Sequence, residues 1–193
     1  TLSDALQGHP PPDVEHLFHA LGRQLALLHT TSDAWDKPAD FFRVRWDAPG
    51  LVGEAPVWGR FWEHPGLSDG DRRLFVHVRA AAQRELQGLH DRLDFGLIHA
   101  DLVRENVLLQ GERIGLLDFD DGGWGYRALD LATTLLKFIG WPTYPVLRDA
   151  LLRGYQDLRP LDLHTLELFL ALRATTYVGW VVPRLGEDGA QER

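Results

Sequence analysis

His99-Ala100-Asp101-Leu102-Val103-Arg104-Glu105-Asn106 runs out of a short apolar segment, residues 95–98, and into two apolar strands, 107–109 and 114–117. Gln110-Gly111-Glu112 between the strands is a compact hairpin signal. Asp118-Phe119-Asp120 follows the second strand directly. Asp101 and Asn106 lie five residues apart on a loop just before a strand. The hairpin returns Asp118 beside that loop. Oxygen ligands from Asp101, Asn106 and Asp118 therefore converge from one short unit, a set suited to a hard cation that keeps several waters.

Outward from this unit the pattern is helical. Val14, Leu17, Phe18, Leu21, Leu25 and Leu28 form an i, i+3, i+4, i+7 stripe that predicts a helix over 14–29. Pro11 and Pro12 precede it, and Asp13 stands at the N-cap position. Residues 32–66 carry Trp35, Phe41, Phe42, Trp46, Trp58, Phe61 and Trp62 among prolines, with no sustained period. That texture predicts an irregular aromatic-rich excursion with at most short helices, packed rather than disordered. Ser68 caps a helix expected to reach about Arg92, with Leu74, Val78, Ala81, Ala82, Leu86 and Leu89 on one face. Further helices are expected over 127–138, 144–158 and 163–182. The last is quite apolar, but Glu167 and Arg173 interrupt it, which favours a core helix over a membrane span. No linker divides the chain, so residues 1–193 are expected to form one unit, mainly α with a small β-hairpin.

Composition sets the outer limits. An apolar fraction of 45% and a charged fraction of 25% are those of an ordinary globular protein. The absence of cysteine excludes disulfides, thiolate nucleophiles and Cys-ligated metals. A formal charge of −8 argues against nucleic-acid binding by a diffuse basic surface. With no charged-then-apolar leader in view, the expectation is a soluble, cytoplasmic protein. There is no methionine, so an initiator is not part of this sequence and a portion of a longer reading frame is expected. Of 20 basic residues only Lys37 and Lys137 are lysines, and any chemistry needing a lysine must use one of them or do without.

Phosphoryl transfer needs a carboxylate to orient and deprotonate the attacking hydroxyl, and oxygen ligands to hold Mg²⁺ against a triphosphate. His99-x-Asp101-x-x-x-x-Asn106 followed by Asp118-Phe119-Asp120 resembles the catalytic and metal-binding loops of the kinase superfamily. The chain looks closest to the aminoglycoside phosphotransferase and homoserine/choline kinase-like branch. Leu25-Ala26-Leu27-Leu28-His29, Gly59-Arg60-Phe61-Trp62 and Asp130-Leu131-Ala132 add to the resemblance, in the family's order. It implies the helical C-terminal lobe of a two-lobed kinase fold using ATP and Mg²⁺. By motif position Asp101 is the implied catalytic base, and Asn106 and Asp118 the implied Mg²⁺ ligands. Leu108 would pack under the adenine. His99 and Asp130 would brace the catalytic loop against the following helix. Asp120 stands in place of the glycine of the D-F-G triplet and could touch a second metal.

Departures from the family pattern narrow the expectation. Ala100 stands where regulated protein kinases carry the arginine of H-R-D, and eleven residues between Asp118 and Asp130 leave no room for a long activation segment. Both favour a small-molecule hydroxyl acceptor over a polypeptide. Neither Lys37 nor Lys137 fits the strand lysine of the small lobe, and no G-x-x-x-x-G-K occurs. The N-terminal lobe is thus expected to be absent from this chain, which alone should bind Mg-ATP weakly and turn over nothing.

Other readings compete. His99, Asp101, Asp118, Asp120 and Asp121 could make a hydrolytic metal site, though Asn106 would then have no job. A non-catalytic pseudokinase-like binding lobe would not need the retained base and ligands. Gly66-Leu67-Ser68-Asp69-Gly70 matches G-x-S-x-G, but no strand precedes the serine, so it is not a nucleophile elbow. His29 and His90 read as helix residues with satisfied or solvated rings. Arg104 reads as a surface arginine or a phosphate contact.

Overall fold

The computed structural model describes residues 1–6, 13–89, 92–111 and 113–184, and they are mostly helical. In chain order the elements are α1 (Leu2–Leu6), α2 (Val14–Ala34), β1 (Arg45–Trp46), α3 (Ala48–Val52), α4 (Asp69–Gly88), β2 (Phe95–Ile98), β3 (Val107–Gln110), β4 (Arg113–Leu116), β5 (Gly123–Tyr126), α5 (Arg127–Leu136), α6 (Tyr144–Gln156) and α7 (Leu166–Val181). Short 3₁₀ turns lie at Phe61–Glu63, Arg104–Asn106, Leu163–Thr165 and Val182–Arg184.

The stripe on α2 buries Phe18, Leu21 and Leu25, and α6 buries Leu147, Leu151 and Tyr155. Full burial of a large apolar side chain is worth about 1.5–3 kcal/mol. The two helices lie unusually close because each offers a glycine to the other. A Cβ on Gly22 would fall 2.0 Å from the Leu151 carbonyl oxygen, and one on Gly154 would fall 1.9 Å from that of His19. Beside this pair, α5 packs on α7, and every residue of α5 from Arg127 to Leu135 is buried. That helix forms the floor beneath the 99–106 loop.

Two small sheets complete the fold. β5 lies between β1, parallel to it, and β2, antiparallel to it, with Trp46 beside Gly125 and Ile98 beside Gly123. β3 and β4 form the expected antiparallel hairpin, with Val107 opposite Leu116. Glu112, placed in its turn, lies outside the described residues, as do Pro11, Pro12 and His90.

Several expectations need correction. Asp13 makes no side-chain cap bond, and α2 runs past residue 29 to Ala34, into the start of the aromatic excursion. Ser68 does cap α4, accepting from the Asp71 N–H at 3.2 Å, but that helix stops at Gly88, short of Arg92. Of its expected apolar face only Ala82 and Leu86 are buried, and Leu74 is exposed, because one end of α4 projects past the core. The excursion does hold only short helices, α3 and a 3₁₀ turn, and buries Trp46, Phe61 and Trp62 as a packed segment; the two-residue β1 is the addition. α1, which precedes the first helix expected from the sequence, buries Leu2 and Leu6 and packs on the Arg104–Asn106 turn and β3.

Candidate active site

β2 ends at Ile98 and delivers the chain into the 99–106 loop, whose backbone is held from below by one carboxylate. Asp130, on the first turn of α5, accepts from the N–H of His99 at 2.8 Å and of Ala100 at 2.7 Å. His29 lies 3.1 Å from the same carboxylate through Nε2, and 2.8 Å from the Tyr155 hydroxyl through Nδ1. His29, Asp130 and Tyr155 are fully buried. Burial pushes the Asp130 carboxyl up, but the hydrogen bonds from the His29 ring and the His99 N–H oppose it, and the carboxyl is held below its ordinary range. Burial pushes His29 down, against the pull of Asp130. A neutral ring that donates Nε2–H to Asp130 and accepts from Tyr155 satisfies all three groups.

Ala100 and Asp118 both have positive φ, +66° and +62°. A non-glycine residue there costs on the order of 1–3 kcal/mol. At Ala100 the charge-assisted bond to Asp130, of about 1.5–3 kcal/mol, offsets that strain. That turn stands immediately before Asp101.

His99 joins the two loops. Its Nε2 donates to the Leu117 carbonyl at 2.8 Å, and its Nδ1 accepts from the Asp101 N–H at 3.4 Å. The Leu117 N–H in turn donates to the Asn106 carbonyl at 2.9 Å. Asn106 lies on the 3₁₀ turn before β3, and its Nδ2 donates to the Asp101 carbonyl at 2.9 Å. That bond, with a longer one to Asp101 Oδ2 at 3.4 Å, fixes the amide and leaves Oδ1 as its open oxygen. The Asp118 carboxylate is exposed and takes no hydrogen bond from the described residues. An amide oxygen and a free carboxylate, completed by waters and phosphate oxygens, fit a hard divalent cation such as Mg²⁺. Arg43 pins the same loop, donating to the Phe119 carbonyl at 2.7 Å. Leu108 is exposed on β3, as are Leu117 and Phe119 near it.

Asp101 has a partner that the motif did not reveal. Arg173, buried in α7, donates Nη2 to Asp101 Oδ1 at 2.7 Å. Burial raises the Asp101 carboxyl above its ordinary value, Arg173 opposes that, and Asp121 and Asp118 add to it. Trp58 donates its indole N–H to Asp121 at 3.4 Å, bringing the aromatic excursion to the site. Trp58 stood in the sequence only among the aromatic residues of the excursion, and neither it nor Arg173 was among the candidate site residues. Arg173 was visible only as a charge interrupting an apolar helix. Arg104 turns to Glu105 at 2.8 Å. Among the described residues no group of three or more His, Asp or Glu side chains could hold a metal ion, so the hydrolytic cluster is not assembled.

The profile of the phosphotransferase enzyme family matches residues 2–167. The chain belongs to that family. Within the phosphotransferase family it is 37% identical over 183 residues to an uncharacterized protein of Deinococcus radiodurans, covering 88% of this chain and 51% of that one. It is 30% identical over 181 residues to a homoserine kinase of Neisseria meningitidis, covering 88% of this chain and 53% of the kinase. Among solved structures, a microcompartment-associated aminopropanol kinase superposes with a TM-score of 0.79 at 28% identity, over 100% of this chain and 57% of that one. The chain thus spans about half the length of the curated relatives it matches. No helix among the described residues is long and apolar enough to cross a membrane.

Proposed function

We propose that this chain is the catalytic C-terminal lobe of an ATP- and Mg²⁺-dependent phosphotransferase that phosphorylates a hydroxyl of a small molecule. The observation that supports this most is the meeting of Asp101, Asn106 and Asp118 across one loop and hairpin, tied by the Asn106–Asp101 and Leu117–Asn106 hydrogen bonds. Homoserine and aminopropanol kinases among the similar proteins support a small amino-alcohol or amino-acid-like acceptor.

In this reading Asp101 accepts a hydrogen bond from the acceptor hydroxyl, orients it toward the terminal phosphate and takes its proton as the bond to phosphorus forms and the bond from that phosphorus to the bridging oxygen breaks, releasing ADP. Its place in a half-buried corner makes it a stronger base than a solvated aspartate. Asn106 and Asp118 would hold Mg²⁺, which when bound neutralises charge on the phosphate oxygens. Leu108 offers an apolar surface to the adenine. Asp130, through the Ala100 and His99 N–H groups, keeps the loop in register. Residues 1–193 act as a single lobe, and the phosphate-covering loop and its lysine belong to an N-terminal lobe. A donor drawn from the cellular ATP pool supports a cytoplasmic location.

The test uses the complete protein with Mg-ATP and a panel of homoserine, 1-amino-2-propanol, choline and an aminoglycoside. An ATP-dependent gain of one phosphoryl group on an acceptor hydroxyl is the expected product. Turnover without ATP, or transfer to none of these classes, contradicts the proposal.

A further inference from the structure

We propose that Arg173 is a positioning residue for phosphoryl transfer, acting through Asp101; the inference rests on the function proposed above. A guanidinium is costly to bury, and a position in an apolar helix is tolerated when its partners are well placed. Arg173 is 1% exposed in the middle of α7. Its Nη2 reaches Asp101 Oδ1 at 2.7 Å, and its Nη1 donates to the Thr176 hydroxyl at 3.1 Å. The guanidinium lies 4.4 Å from the Trp58 ring centre and 4.3 Å from that of Tyr177. Trp58 is itself tied to Asp121.

One planar cation is therefore held by ring contacts, by its own helix and by the loop carboxylate. These contacts restrict translation and tilt, so the guanidinium meets Asp101 through Nη2 alone, while its Nε is buried without a hydrogen-bond partner among the described residues. With Oδ1 engaged at 2.7 Å and Oδ2 reached only by a long 3.4 Å contact from Asn106 Nδ2, Oδ2 is the oxygen with acceptor capacity to face an acceptor hydroxyl. A lysine would keep the charge but not the plane or the stacking. The aromatic excursion and the last helix thus set the aim of the base, although neither carries a kinase motif residue at that point.

The experiment is a double-mutant cycle in the complete protein, using Mg-ATP and an acceptor that the wild type phosphorylates. Arg173→Met should lower kcat by about 10²-fold, the usual penalty for a misplaced reacting group. The Kd for Mg-ATP should stay within about twofold, and Arg173→Lys should recover part of the rate. In an Asp101→Asn background Arg173→Met should cost nothing more, because groups acting as a unit are not additive. Should Arg173→Met fail to fold, as its thermal midpoint will show, Arg173→Lys carries the same cycle. Unchanged kcat, losses that multiply with Asp101→Asn, or parallel loss of ATP binding overturns the inference while leaving the wild-type function standing. A wild type that phosphorylates no acceptor removes the proposed function, and this inference with it.

Discussion

The buried carboxylate of Asp130 accepts from the N–H of Ala100 at 2.7 Å, and Ala100 sits at φ +66° immediately before Asp101. The strain at one residue and the bond from another are coupled: the backbone turn that aims Asp101 persists because α5 holds it. The hold extends to α2 and α6 through His29 and Tyr155, so packing deep in the core sets the conformation of the loop.

Asp130→Ala should therefore be severe. It leaves two backbone donors and the His29 ring without their acceptor in a dry interior, each costing on the order of 1–3 kcal/mol. A loss of about 3–5 kcal/mol in a denaturant melt is expected. Asp130→Asn keeps one carbonyl oxygen and should lose less. An Asp130→Ala loss under about 1 kcal/mol would show that the loop holds itself.

The same trio gives a pH dependence. The folded chain holds His29 below its ordinary 6.5, so below that pH the unfolded chain takes up a proton that the folded chain refuses. Stability is complete above about 6.5 and falls as pH drops toward the folded value, by at most ~1.4 kcal/mol per pH unit. Asp130, held below its ordinary 3.8, acts in the same direction at lower pH. Urea midpoints between pH 8 and 5 should decline on the acid side, and His29→Gln should flatten that slope. Stability rising on acidification through this range would contradict the network.

Two glycines make a paired test of packing. Gly22→Ala would drive a Cβ to 2.0 Å from the Leu151 carbonyl, whereas Gly88, at the end of α4, has nothing within 4 Å of an added Cβ. The first should destabilise by about 1–3 kcal/mol, the usual cost of overpacking. The second should stabilise by about 0.4–1 kcal/mol through the unfolded state. A Gly22→Ala melt no lower than that of the wild type would mean the α2–α6 spacing is not fixed by Gly22.

What the sequence made legible was local. The hairpin announced itself by two short apolar runs either side of Gln110-Gly111-Glu112, and Asp101, Asn106 and Asp118 by their chemistry and spacing. β5 did not, because Gly123-Trp124-Gly125-Tyr126 reads as a turn. Its glycine at 125 is instead demanded by Ile98 and Trp46, whose atoms would lie 2.4 Å and 2.8 Å from a Cβ there. β1 is two residues long and exists only by pairing with β5. The Arg173–Asp101 pair spans 72 residues and His29–Asp130 spans 101, so no window along the chain contains both members. Arg173 and His29 look ordinary until the fold delivers their partners.

The division of labour between the two aspartates tests the central claim most directly. Mg-ATP binding and steady-state rate should be measured across Mg²⁺ concentration for Asp101→Asn and Asp118→Asn in the complete protein. Asp118→Asn should weaken ATP affinity and shift its metal dependence, because an oxygen ligand has lost its charge. Asp101→Asn should bind Mg-ATP as wild type does yet fall in kcat by about 10² or more, the usual scale for a general base. Loss of metal-dependent ATP binding in Asp101→Asn with its retention in Asp118→Asn would exchange the two roles and contradict the account, and full ATP-dependent activity in both variants would end it.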